Sequence, residues 1–160
     1  MADDALRRLV DVRPGELRLR QAIVLDWHDG PQEGFLGFAD SDSRWHFRSF
    51  AHQHNPDGLD DRLYLLSAVP SELVGEFAAV LSEEAESRSP VWVPRWEFSG
   101  PDQLEKVEGV LAAAMAQVGH PIAVLESADL VHINRIWPID VAIEFAAKQQ
   151  PVGGACVAGC

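Results

Sequence analysis

Asp26 and His28 stand two residues apart in the stretch IVLDWHDGPQEGFLGF, and that spacing is the first place where this chain could do chemistry. In an extended strand, residues i and i+2 share a face, about 7 Å apart along the chain. A carboxylate beside an imidazole raises its pKa and fixes its ring. His46 and Arg48, in RWHFRSF, share a face of a later strand and lie within reach of Asp26 if the two strands are near neighbours. These four residues form a candidate polar binding face. Cross-strand charge pairs of modest energy explain the same pattern by folding alone.

A second candidate is a metal site. The sequence HQH at 52–54 projects His52 and His54 to one side when extended, and Asp26, Asp29 and Asp57 lie nearby in the chain. Two imidazoles with one or two carboxylates suit a divalent transition metal, and a hydrolytic site would keep one position open for water. The reading rests on His52, His54 and Asp57, in a short motif that occurs often by chance.

Other chemistries lack their residues. There is no G-x-S-x-G, no P-loop lysine and no G-x-G-x-x-G, and the two Lys are Lys106 and Lys148. The two Cys, Cys156 and Cys160, sit in the last five residues, which excludes a disulfide framework. No metal-free nucleophile is apparent, and no cofactor is called for outside the metal alternative.

The elements that must position these residues divide at Pro70. IVLDWHD alternates, with Ile23, Leu25 and Trp27 facing a core. Pro31 suits the second position of a type I turn spanning 30–33. EGFLGFA, RWHFRSF and RLYLLSAV read as three further strands, with Gly34 and Gly37 loosening the second or admitting a close neighbour. The polar stretch at 52–61 is a loop rich in breakers. Residues 20–69 therefore read as a four-stranded antiparallel meander.

Beyond Pro70, Leu73, Val74, Phe77, Val80 and Leu81 form a helical stripe, with Ser71 as its N-cap. SPVWVPRWEFS reads as an edge strand or an extended crossing, its Pro90 and Pro94 removing ladder donors. Leu104, Val107, Leu111, Ala114 and Val118 mark a second helix, opened by Ser99 and Asp102 in a capping-box pattern and closed by Gly119 and Pro121. PIAVLE is a short buried strand. ADLVHINRIW fits a strand after a tight turn at 127–129, or a helix joining Leu130, Ile133 and Trp137; the strand is favoured. PIDVAIEFAAKQQ carries helical spacing.

The expected fold is α+β, an antiparallel meander with two to three helices packed on it. It forms a single domain over residues 1–150, mostly β over 20–69 and helix-rich over 70–149. A Gly- and Cys-bearing tail at 151–160 follows. Residues 3–12, DDALRRLVDV, carry the pattern of a short helix with Leu6, Leu9 and Val10 on one side. No segment has the features of a signal peptide or a transmembrane helix, so a cytosolic setting is expected.

The formal net charge is −12. Residues 1–20 carry five Arg against four acids, whereas residues 49–87 carry only Arg62 against eight acids, a net of −7. Such a field disfavours nucleic acid and anionic membranes and favours basic partners. Trp92 and Trp96, on the Pro-bearing segment, add a candidate binding edge, since Trp is enriched at hot spots. They equally suit burial against a helix. The leading expectation is a binding or regulatory domain of bacterial type that recognises a protein with basic surface, as in an immunity- or antitoxin-like role. The alternative is a small metal-dependent hydrolase built on His52 and His54.

Overall fold

The computed structural model describes residues 18–39, 41–53, 56, 61–81, 89–96 and 100–139. In chain order these form β1 (Leu19–Trp27), β2 (Pro31–Phe38), β3 (Arg44–Gln53), β4 (Asp61–Val69), α1 (Ser71–Val80), β5 (Val91–Trp92), α2 (Pro101–Ala116), β6 (Pro121–Ser127) and β7 (Ile133–Pro138).

The expected meander is present but is only part of a larger sheet. Seven strands run in the order β5-β1-β2-β3-β4-β6-β7. All adjacent pairs are antiparallel except β1 with β5, which is parallel, so the sheet is mixed. Two helices are present among the described residues, and β6 and β7 return to the sheet beside β4. The strand reading of ADLVHINRIW holds for Ile133–Pro138. The expected segments at 3–12 and 151–160, and residues 140–150 of the expected last helix, lie outside the described residues; Pro138, expected in that helix's first turn, closes β7 instead.

Both faces of the central strands are buried, which simple alternation did not anticipate for β1. Ile23 packs with Phe35, Val74, Phe77, Trp92, Val107 and Ala114 beneath the helices. Ala22 and Val24 belong to the opposite core, with Leu36, Trp45, Phe47, Tyr64, Leu66 and Leu125. The apolar stripes of both helices face the sheet as their spacing predicts, since period 3.6 leaves one side of each for the core. The Gln103 side-chain amide donates to the Val80 carbonyl at 3.1 Å, so α2 caps the end of α1.

The helix starts differ from expectation. Pro70 holds the N-cap position of α1 and Gly100 that of α2, with no side-chain cap at either. Ser71 is already helical, and Ser99 lies outside the described residues. Pro101 opens α2, where its missing N–H costs nothing.

Gly34 has a local reason. A Cβ there would collide with the Ile23 carbonyl and come within 2.9 Å of the Phe47 ring, so glycine lets the aromatic lie flat across β2.

Candidate functional site

The sheet directions bring to one end the β1–β2 turn at 28–30, the last residues of β3, the first residues of β4 and the β6–β7 turn at 128–132. Asp26, His28, Arg48 and His52 approach this end.

The β1–β2 turn is shorter than the sequence pattern implies. Trp27 pairs directly with Pro31, and the His28 amide donates to the Gly30 carbonyl at 2.9 Å. Asp29 and Gly30 take positive φ values of 54° and 137°. Pro31 therefore opens β2 instead of occupying a type I turn. His28 leaves the strand, so it does not share a strand face with Asp26; its exposed ring lies 4.0 Å from the Asp29 carboxylate. Trp27 is not in the core. The register shifts on both sides of Asp26, and Trp27 emerges 52% exposed.

Arg62 fastens this turn to the one opposite. Its guanidinium donates to the Asp29 carbonyl and, at 3.3 Å, to the Ala128 carbonyl. A Cβ on Gly30 would collide with that guanidinium, so position 30 needs glycine for space as well as for its φ. Beside it the Tyr64 hydroxyl donates to the Pro31 carbonyl at 2.9 Å. Burial pushes the Tyr64 pKa from 10.0 up to about 12, against the opposing pull of Arg62.

The β6–β7 turn is built by Asp129. One carboxylate oxygen accepts the backbone amides of Val131 (3.0 Å) and His132 (2.8 Å), and the other accepts the His132 ring nitrogen Nδ1 at 2.8 Å. Burial would raise the Asp129 pKa, but the hydrogen bonds from His132 and Val131 outweigh it and hold the carboxyl below 3.8. Ser127 donates to the His132 carbonyl and accepts from the Leu130 amide, both at 2.9 Å. Its hydroxyl is therefore committed to the turn. The His132 ring is oriented but exposed, and no hydroxyl or thiol nucleophile is seen bonded to it among the described residues. Sequence reading missed this cluster, although an Asp three residues before a His after Ser-Ala is ordinary turn chemistry.

The polar face predicted from alternation survives in altered form. His46 lies on the helix side of the sheet, 7% exposed, with its ring edge-on to Phe35 at 6.0 Å between centroids. Its Nε2 lies 2.8 Å from the Glu33 carboxylate, a partner that sequence reading overlooked. Register places Asp26 opposite Glu33 and Glu33 opposite Arg48, so these three follow one another across β1, β2 and β3. The structure thus groups Asp26, His46 and Arg48 around Glu33 and leaves His28 at the turn.

Trp92 is buried beneath the helices, and Trp96 packs edge-on against Phe77 at 6.0 Å between centroids. Packing accounts for both positions. His52 belongs to the end of β3, opposite Arg62, rather than to a loop. His54 and Asp57 lie outside the described residues. Among the described residues no group of three or more His, Cys, Asp or Glu side chains could hold a metal ion.

The site is one end of a seven-stranded mixed sheet in an α+β chain, with latched turns and a part-buried His–Glu pair. No protein-family model, no curated protein and no solved structure matches the chain. No helix among the described residues is long and apolar enough to cross a membrane.

Proposed function

We propose that this chain is a binding or regulatory domain that recognises a protein partner with basic surface. An immunity- or antitoxin-like role is one form such recognition takes. The observation that carries the reading is the outer surface of the helix layer. Glu72 and Glu76 on α1 and Asp102, Glu105 and Glu108 on α2 are all exposed, and the one basic residue of the two helices is Lys106. The helices therefore present a net of −4 on the face turned away from the sheet.

Carboxylates on one face raise the local concentration of cationic partners and speed encounter, an effect that salt screens. Two of the six histidines are engaged within the fold: His46 is held by Glu33, and His132 by the carboxylate that builds its own turn.

The test compares the wild-type chain with a variant carrying Glu72→Gln, Glu76→Gln, Asp102→Asn, Glu105→Gln and Glu108→Gln. Each is immobilised and exposed to lysate at low salt and at roughly 0.5 M salt, where the Debye length falls well below 10 Å. Wild type should retain a basic protein at low salt and lose it in salt, and the variant should not retain it. Equal retention by both proteins, or retention indifferent to salt, would overturn the reading.

A further inference from the structure

Two register irregularities turn large aromatic side chains out of the sheet at the same end. In β1 the pairing shifts on both sides of Asp26, and Trp27 follows. In β3 the shift falls between Ser49 and Ala51, and the skipped residue, Phe50, is 46% exposed. Trp27 pairs with Pro31. Glu33, two residues further along β2, pairs with Arg48, two residues before Phe50. Trp27 and Phe50 thus stand on the two strands that neighbour β2, each near the end where β2 begins. Bulges re-aim side chains, and they recur beside binding sites. Leaving two large aromatics in water forgoes the stabilisation their burial would bring, so folding alone does not explain them.

The surroundings are charged. Asp26 and Asp29 are exposed and flank the Trp27–His28 pair in the chain. Asp29 has His28 at 4.0 Å. Arg48 and Arg62, on β3 and β4, lie toward this end. Arg48 is exposed and faces Glu33 across the ladder, while Arg62 is held by the carbonyls of Asp29 and Ala128. That latch holds the turn backbone that follows Trp27, which lowers the ordering cost of binding there.

An exposed indole with carboxylates beside it in the chain is suited to a guanidinium or ammonium side chain. The ring attracts the cation and covers its aliphatic stem, and a carboxylate takes its hydrogen bonds. We infer that the Trp27–Phe50 surface is the anchor point for an arginine- or lysine-bearing segment of the partner. The inference rests on the basic-partner reading and adds where that partner seats. The helix acids draw it in, and the aromatic end of the sheet holds it.

The test uses the full chain with backbone and indole resonances assigned, titrated at low salt with a short Arg-Gly repeat peptide and with its uncharged citrulline counterpart. Trp27 is exposed, so Trp27→Ala should fold, and near-ultraviolet circular dichroism checks that it does; Phe50→Ala is the second variant. The arginine peptide should shift the Trp27 indole and the amides of 26–29, and the citrulline peptide should not. Trp27→Ala should raise Kd about three- to tenfold. Shifts confined to α1 and α2 would overturn the anchor while leaving the basic-partner reading standing. Equal shifts with citrulline would make the surface apolar in preference and overturn it too. So would concentration-dependent shifts there without peptide, which would assign the patch to a second copy of the chain. No shift anywhere would sink both readings.

Discussion

His46 and Tyr64 show how much a single polar group can do in a sheet buried on both faces. The His46 ring sits among aromatics under the helices and is held by Glu33 at 2.8 Å. Removing the carboxylate leaves a buried ring nitrogen unpaired, at a cost of about 1–3 kcal/mol. Glu33→Ala should therefore lower the urea midpoint by that amount, and Glu33→Gln should recover most of it. If Glu33→Ala costs under about 0.5 kcal/mol, packing alone holds the ring. Tyr64 is the only tyrosine in the chain, so it reports on itself. Its folded pKa of about 12 lies above the ordinary 10.0, so the folded state keeps its proton where the unfolded state has lost it. On this account stability is unaffected below pH 10 and falls as pH rises from 10 toward 12. Tyrosinate absorption should appear together with loss of near-ultraviolet dichroism, not before it. Ionisation near pH 10 in a still-folded chain would show that the hydroxyl is open to water.

At the level of elements, the critical link is between turns rather than between strands. Arg62 reaches two carbonyls on separate turns because a guanidinium is a rigid fork; a lysine offers one point charge. Arg62→Lys should cost about 1–2 kcal/mol. It should also raise amide exchange over 28–31 and over 128–132 together, since both turns lose the same tie. Faster exchange in only one of them would mean the turns are held independently. Little of this linkage was legible in the sequence. The helical stripes on α1 and α2 were readable because period 3.6 is set locally and both helices bury one side. Trp27 was misplaced because alternation assumes an unbroken period of two, and the shifts around Asp26 break it. Glu33 was overlooked because its partner lies thirteen residues away and only register brings them together. The same holds for the sheet itself. The place of β6 beside β4, and of β5 beside β1, is decided by packing between distant segments, which no local pattern encodes.

Across the whole molecule the charge that suits a basic partner also works against folding. A net charge of −12 is spread unevenly, and the helix layer presents five carboxylates against Lys106. Like charges held on one face repel, and folding brings them closer together than the unfolded chain does. Salt screens that repulsion, so it should stabilise the free protein while it weakens the complex. The opposite signs separate this account from a general effect of salt on the protein. From low salt to roughly 0.15 M, where the Debye length is near 8 Å, the midpoint of thermal unfolding should rise by about 2–4 °C, equivalent to about 1 kcal/mol for a chain of this size. The variant with all five helix acids neutralised should already be more stable than wild type at low salt, and it should respond to salt much less. Calorimetry on the two proteins across a salt series reads both slopes. If wild type loses stability in salt, attractive ion pairs outweigh repulsion on the folded surface. The helix acids would then be serving the fold, and the case that they are kept for a partner would lose its physical basis.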